Sequence, residues 1–226
     1  STHQGHFLRD SLVVFQFAIS IFLVVCTLIV YRQLEYIQTK DLGFTKEAII
    51  NIQGSGFLGN KTKTFKEEIR AISGIVSVAS ASTSPADKQG GYFGVTFRKD
   101  GENETVTGKG AVVDDQYLQT MKIALLAGRS FDKNFNDSLS VILNEEAVRE
   151  LGLENPVGKT IITPDNLAQQ NGSPVAHTVI GVVKNFHFSS LRDKISPLFL
   201  LNDRLFGQAN NQLVIKIDLH VRQPYK

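Results

Sequence analysis

The sequence has no tryptophan, one methionine and one cysteine, and its charges nearly cancel: 24 Lys and Arg stand against 22 Asp and Glu. Each shortage excludes something. A single cysteine, Cys26, forms no intrachain disulfide and cannot by itself build a zinc site. A formal net charge of +2 provides no basic field for a polyanion, so no nucleic-acid partner is expected. Hydrophobic residues make up 42% of the 226, too many for a disordered chain. A mean hydropathy of -0.05 is too low for a chain that crosses a membrane many times. The length allows one large domain or two small ones and is enough to bury a real core.

One segment departs from these averages. Ser11 to Tyr31 reads SLVVFQFAISIFLVVCTLIVY without a charge, between Asp10 and Arg32. It has about 21 residues, close to the ~20 that cross a hydrocarbon core of ~30 Å. Ser20 and Thr27 can bond back to the helix backbone and are cheap in lipid. Gln16 is dearer and is expected, with Ser20, to face another helix. Cys26 lies within the run, where a thiol packs as a small apolar group. A core helix is rarely apolar all round over this length. A cleavable signal would have a shorter apolar region and small residues at its end, whereas this run ends Leu28-Ile29-Val30-Tyr31-Arg32. The reading is a retained anchor at 11–31, with 1–10 as a flank and 32–46 as a stalk. The start at Ser1 reads as that of a fragment or trimmed chain.

Beyond the anchor the pattern is α+β. AIINIQ (Ala48 to Gln53) reads as a strand, Lys61 to Ile72 as a helix with Phe65, Ile69 and Ile72 on one face, and Ile75 to Ser82 as a strand. A hairpin is expected from Tyr92–Lys99 and Glu104–Gly108 around Asp100-Gly101. A short helix is expected around Asp115–Met121 and another at Glu145–Leu151. Further strands are expected at 140–144, 177–186, 197–201 and 212–217. Antiparallel hairpins and few long helices favour α+β over a doubly wound sheet.

The chemistry-bearing motifs are weak. Gly54-Ser55-Gly56-Phe57-Leu58-Gly59 spells GxGxxG, but the following strand ends Ala79-Ser80-Ala81-Ser82 with no acid for a ribose. It also misses a P-loop, because Asn60 stands where Lys is needed. Gly158-Lys159-Thr160 misses one too, with Leu153 in place of the upstream glycine. A flexible loop is the plainer reading of 54–59. His187 is read as a surface or loop histidine, and His177 as opening a strand with no obvious partner. Asp114-Asp115 and Glu145-Glu146 are sequence neighbours, which diverge by about 100° on a helix and would not share a face. No cofactor, no metal site and no enzymatic site are expected.

Several phrases together carry a resemblance. Leu8-Arg9 with LVVFQFAISIFL and YRQLEYIQTKDLGF resembles the entry helix and stalk of FtsX-like permeases. VDDQYLQTMKIALLAGRSF resembles that family's acid-x-x-Tyr-Leu…Gly-Arg-x-Phe pattern. VILNEEAVRELGLENPVGKTI is similar to its Asn-Glu…Asn-Pro-(Ile/Val)-Gly-Lys segment. TVIGVVKNFHFSSLRDKISPLFL is similar to its Val-Ile-Gly-Val-Val-Lys-Asp-Phe-His…Pro run, with Asn185 where Asp is commoner. The likeness, over about residues 8 to 217, is to ABC transporter permeases of the MacB/FtsX type with a MacB-like periplasmic core domain.

That resemblance implies one N-terminal transmembrane helix with a stalk, then a mixed α/β periplasmic domain over 47–226. The domain would have a porter-like βαβ part and a small β-rich part at about 138–188. It implies a cell-membrane protein with a cytoplasmic N-terminus, against the weak positive-inside count of Arg9 on one side and Arg32, Lys40 and Lys46 on the other. The implied partners are an ABC ATPase, a second permease copy or relative, periplasmic or outer-membrane proteins, and the bilayer. The implied function couples ATP-driven membrane motion to export or mechanotransmission, with no catalysis. Gly128, Arg129, Asn144, Glu145, Pro156, Gly158, Gly181, Phe186 and Pro197 are carried over as structural motif positions. Two other readings remain open on the residues alone. One is a single-pass sensor with a ligand-binding periplasmic domain; the other is a tethered nucleotide-dependent enzyme resting on Gly54–Gly59.

Overall fold

The structure, a computed structural model, describes residues 3–39, 48–85, 91–164, 174–188, 193–206 and 211–219. The chain divides into two compact units, Ser1–Asp41 and Leu42–Lys226.

The first unit is one helix, α1 (His3–Thr39), of 37 residues. At 1.5 Å per residue it is roughly 55 Å long. Its apolar segment, long enough to cross a membrane, runs Ser11–Tyr36, five residues past the sequence-based end at Tyr31. Leu12, Phe15, Phe17, Phe22, Val24 and Ile29 are all exposed. The polar residues within it behave as their chemistry requires. Ser20 Oγ donates to the Gln16 carbonyl at 2.9 Å and Thr27 Oγ1 to that of Leu23 at 2.8 Å, so neither hydroxyl hydrogen is left bare. The expected helix stop at Gly43 lies outside the described residues.

The second unit opens with β1 (Ile49–Gln53), a 3-10 segment (Ser55–Lys61), α2 (Thr62–Arg70) and β2 (Ile75–Ala81). β3 (Phe93–Lys99) and β4 (Thr105–Val113) make the expected hairpin. There follow α3 (Tyr117–Met121), β5 (Leu125–Gly128), β6 (Ser140–Asn144) and α4 (Glu145–Glu150). β7 (Thr160–Thr163), β8 (Val175–Val183), β9 (Leu198–Asn202) and β10 (Gln212–Ile217) complete the order.

The strand–helix–strand unit at 48–82 is split. β10 lies between β1 and β2 and is antiparallel to both. Its Leu213, Val214 and Ile215 are buried on both faces, which suits a central strand. α2 covers one face, setting Ile69 on Val78, Leu213 and Ile215, with Phe65 four residues earlier on the same stripe. α3 covers the other face, where Tyr117 and Met121 join Ala79, Ala81 and Val214.

The remaining strands close a ring. β4 pairs β3, β3 pairs β7, β7 pairs β8, β8 pairs β6, β6 pairs β9, and β9 returns to β4 in parallel. Closure leaves these strands without open edges. Alternate residues point inward: Val95 and Phe97 of β3, Val141 and Leu143 of β6, Phe199 and Leu201 of β9, plugged by Ala147 of α4 and Leu151 just after it. The segment 138–188 contributes β6, α4, β7 and β8, and β3, β4 and β9 complete the ring around it. β4 is the seam of the whole domain. It belongs to the ring and also meets β2 at Ala81↔Val113.

Candidate functional site

The motif positions meet where β5, β6, β8 and α4 come together. β5 pairs β8 with Gly128 opposite Gly181. A Cβ on Gly128 would stand 2.1 Å from the Ile180 carbonyl oxygen, and one on Gly181 would stand 2.5 Å from that of Arg129. The two backbones therefore approach to a distance that only hydrogen atoms allow. Gly128 also holds φ at +73°. Arg129 follows at once, donating its N–H to the Ile180 carbonyl at 2.9 Å. Its guanidinium grips Asp137 through both nitrogens, at 2.8 and 2.7 Å, and lies 4.1 Å over the Phe135 ring. Asp137 is buried and also accepts from Ser140 Oγ at 3.1 Å and Asp132 N at 3.0 Å. Burial pushes its carboxyl upward, but these donors outweigh burial and hold it below the usual carboxylate range.

Asn144 is the next junction. Its Oδ1 caps α4 by accepting from Ala147 N at 2.9 Å and also accepts from Leu198 N at 2.9 Å. Its Nδ2 donates to the Ser196 carbonyl at 3.0 Å. One buried amide thus ties β6, α4 and the entry to β9. Glu145 Oε2 accepts from Asn185 N at 2.7 Å, while Asn185 Oδ1 accepts from Glu146 N at 3.2 Å. Asn185, at the position where the resembled family more often has Asp, is therefore an acceptor for the first turn of α4. Pro156 and Gly158 form the turn before β7, and Gly158 N donates to the Val179 carbonyl at 2.7 Å. Phe186 is buried edge-on to Phe188, 5.6 Å between centroids. The buried Pro197 accepts from Lys109 N at 2.9 Å through its carbonyl. These side chains are engaged in backbone hydrogen bonds, packing and ion pairing.

The motifs that spell chemistry are occupied otherwise. Residues 55–61 form a 3-10 segment, where the sequence is read as a flexible loop. Gly54 N and Ser55 N both donate to the Asn211 carbonyl, at 2.8 and 3.1 Å, and Phe57 N donates to Gly54 O at 3.1 Å. Amides committed to the next strand's entry cannot also cradle a pyrophosphate. His177 is the third residue of β8, buried inside the ring. It has a neighbour that sequence reading does not reveal, Thr163 Oγ1 at 3.4 Å from Nε2, and it meets Phe97 edge-on at 5.4 Å. Burial lowers it to about 4, so it is neutral in the folded protein at pH 7. His187 is half-buried between Phe186 and Phe188, whose side chains are buried.

Three acids gather outside the ring's end, and sequence reading found only two of them. Asp114 pairs with Lys66 of α2 and accepts from Ser80 N at 2.7 Å and Gln116 N at 3.0 Å. Burial nonetheless raises Asp114 above the usual carboxylate range. Asp203 is brought beside it by the β4–β9 register, in which Val113 faces Asn202. Burial first, and the fields of Asp114 and Asp115 with it, push Asp203 up to about 6, though Lys66 opposes them. The signal in sequence is only that an acid follows each of two strands; their parallel pairing is tertiary information. Among the described residues no group of three His, Cys, Asp or Glu side chains could hold a metal ion.

A family model described as the MacB-like periplasmic core domain matches residues 12–221. Solved structures of the same fold include the periplasmic region of MacB from Actinobacillus actinomycetemcomitans. It is 18% identical, with a TM-score of 0.54, over 80% of this chain and 79% of that one. A domain of a protein described as a permease from Porphyromonas gingivalis is 16% identical, with a TM-score of 0.51, over 77% of this chain and 75% of that one. The extracellular domain of the ABC-type transporter YknZ from Gram-positive bacteria also matches, at 15% identity and a TM-score of 0.48, over 75% of each chain. None of the curated proteins compared matches the chain.

Proposed function

Since this chain belongs to the MacB-like periplasmic core domain family, we propose that it is the membrane-anchored periplasmic part of an ABC transporter permease. In this reading it couples ATP-driven motion of membrane helices to export or mechanotransmission. The observation that carries the reading is the extent of the family match. It begins at residue 12, inside the apolar helix, and ends at residue 221, past the last strand, so anchor and domain are one family unit.

The geometry supports a coupling role. α1 is continuous from the span to Thr39, and a continuous helix carries axial displacement and rotation without a hinge. The next described strand is β1, at the edge of the split unit and bonded to β10. Through β2 and β4 the split unit is joined to the ring, whose closed pairing and packed interior make it respond as a body. The positions Gly128, Arg129, Asn144, Glu145, Pro156, Gly158, Gly181, Phe186 and Pro197 act as struts that hold β5, α4 and the β9 entry to that body. Gln16 and Ser20 lie in the span as contacts for another membrane helix. Asp137 and Asp114 are spent on ion pairs and backbone hydrogen bonds, which fits a structural role for both.

In this reading the N-terminus is cytoplasmic, the domain is periplasmic, and the partners are an ABC ATPase and a second permease. The test joins two measurements. A tagged full chain is purified from native membranes and assayed for a co-purifying ATPase. In a Cys26→Ser background, Asn103→Cys in the exposed β3–β4 turn is probed with an impermeant maleimide. Recovery of ATPase activity and labelling from the periplasmic side are expected. Labelling only after the inner membrane is opened, with no ATPase recovered, would overturn the proposal.

A further inference from the structure

β1 ends the strand order, and only one of its two edges is bonded. Which edge is open follows from the bonds that bracket the strand. Ile217 N donates to the Ala48 carbonyl at 2.8 Å, and Gly54 N donates to the Asn211 carbonyl at 2.8 Å. Bonding residues alternate along an antiparallel ladder. Ile50 and Ile52 therefore bond to β10, while Ile49, Asn51 and Gln53 turn their N–H and C=O groups the other way. No described residue bonds to those outward groups. At the centre of the strand, Asn51 Oδ1 is buried without a hydrogen-bond partner. On the opposite face Ile50 is 46% exposed, beside the partly buried Ile52.

Edge strands are normally blunted by a charge, a proline or a bulge. IINIQ has neither charge nor proline, and its register with β10 runs from Ile49 to Gln53 without a shift. The open edge is also complementary to itself. Laid antiparallel to a second β1 with Asn51 opposite Asn51, it sets Ile49 opposite Gln53 and Ile50 opposite Ile52 on each side of a two-fold axis. Every outward N–H then meets an outward C=O. A shift of two residues leaves Ile49 or Gln53 unpaired, and a shift of one sets outward groups against residues already bonded to β10. At the axis the two amides face each other, close enough for each Nδ2 to donate to the other Oδ1 when the side chains turn to the edge. Ile50 gains the Ile52 of the other copy as a neighbour and leaves water. Because the edge is neutral, two copies bring no like charges together, and a charged strand would find no counter-ion along it.

We propose that β1 is the contact edge between two copies of this chain, paired antiparallel about Asn51. One sheet then runs from β2 through β10 and β1 into the same strands of the second copy. A pair of five-residue strands buries far less than the ~1,200–2,000 Å² of a standard interface. It needs the raised local concentration of two copies held by α1 in one bilayer. The pairing rests on the permease reading for that shared bilayer and adds which surface meets the second copy.

The experiment oxidises the full chain in native membranes, in a Cys26→Ser background, and reads disulfide-linked dimer on non-reducing gels. Asn51→Cys sets two thiols across the axis at a Cα separation of about 5.5 Å, which a disulfide spans. Gln53→Cys sets its own pair about 14 Å apart along the strands. Asn51→Cys is expected to cross-link at least tenfold more than Gln53→Cys alone. Co-expressing Ile49→Cys copies with Gln53→Cys copies should restore the dimer band. Asn103→Cys, in the exposed β3–β4 turn, supplies the background level. Adding Ile50→Lys, which charges the edge, should lower the Asn51→Cys yield at least tenfold. Circular dichroism of the purified variants separates loss of pairing from loss of the fold. The mixed Ile49 and Gln53 pair retains Asn51 and Ile50, so it keeps the test decisive if another variant unfolds. The proposal is overturned if Asn51→Cys and the mixed pair both stay at the Asn103→Cys level. It is equally overturned if Gln53→Cys alone links as well as Asn51→Cys, or if the product joins the chain to a different protein. Recovery of ATPase from the same membranes is scored separately. ATPase without a β1 cross-link sinks the pairing alone, and the specific cross-link without ATPase supports the pairing and counts against the permease reading.

Discussion

Replacing Asn144 with alanine should lower the stability of the folded domain by about 3–5 kcal/mol. The side chain makes three hydrogen bonds, two accepted from Ala147 N and Leu198 N and one donated to Ser196 O. It is 1% exposed. Removing it strands two buried N–H groups and one carbonyl, each at about 1–3 kcal/mol. The space vacated by the amide admits a water that recovers part of that sum, which leaves the lower half of the range. Loss of the cap on α4 is already contained in the Ala147 term, about 1 kcal/mol by itself. Against a total stability of about 5–15 kcal/mol, the loss is large. Asn144→Asp separates the contributions. It keeps both accepted bonds, now from a charged acceptor at a helix N-terminus, and loses only the donation to Ser196. It should cost about 1–2 kcal/mol at pH 7. Urea unfolding of the full chain in neutral detergent measures all three proteins. The absence of tryptophan makes tyrosine fluorescence the probe, with Tyr117 buried in the folded state. A loss below about 1 kcal/mol for Asn144→Ala, or an aspartate variant less stable than the alanine one, refutes the reasoning.

Three further outcomes are expected. Gly128→Ala should cost at least about 3 kcal/mol in the same unfolding experiment, because it combines an unfavourable φ with a Cβ set against backbone oxygen that cannot rotate away. His177 is depressed to about 4 by burial, so the unfolded chain binds a proton that the folded one does not. Its share of stability is present above about 6.5 and falls away towards pH 4, by up to about 3 kcal/mol; His177→Leu should flatten that slope when both proteins are unfolded across pH 4–7. Asp203, raised to about 6, has the opposite sign: its share is present below the unfolded value of about 3.9 and is lost as pH rises through 6. Asp203→Asn should therefore stabilise the domain by about 1–3 kcal/mol at pH 7.5 and leave it unchanged at pH 3.5, read as a shift in thermal midpoint.

The apolar helix, the α+β character and most element positions are legible along the chain because they rest on local physics. An uncharged run of membrane length needs no partner to be recognised. The Phe65/Ile69 spacing marks α2, and the alternation around Asp100-Gly101 marks the β3–β4 hairpin. β10 is read with its observed limits, Gln212–Ile217. Asn144 is legible only as a motif position of the resembled family, and its cap on Ala147 N is seen in the structure. Its second acceptance, from Leu198, is not visible, because the partner lies 54 residues away.

What only the tertiary structure decides is which strands become neighbours. The insertion of β10 between β1 and β2, the return of β9 to β4 and the closing of the ring all depend on pairings far apart in sequence. Backbone hydrogen bonding is indifferent to residue identity, so local composition cannot select among them; the shared burial of both faces can. The same pairings place Asp203 beside Asp114 and bury His177 inside the ring. The sequence by itself determined the apolar helix and most of the secondary structure, which rest on patterns a few residues long. The acid cluster and the neutral histidine exist only because long-range packing drew those groups together or took them out of water.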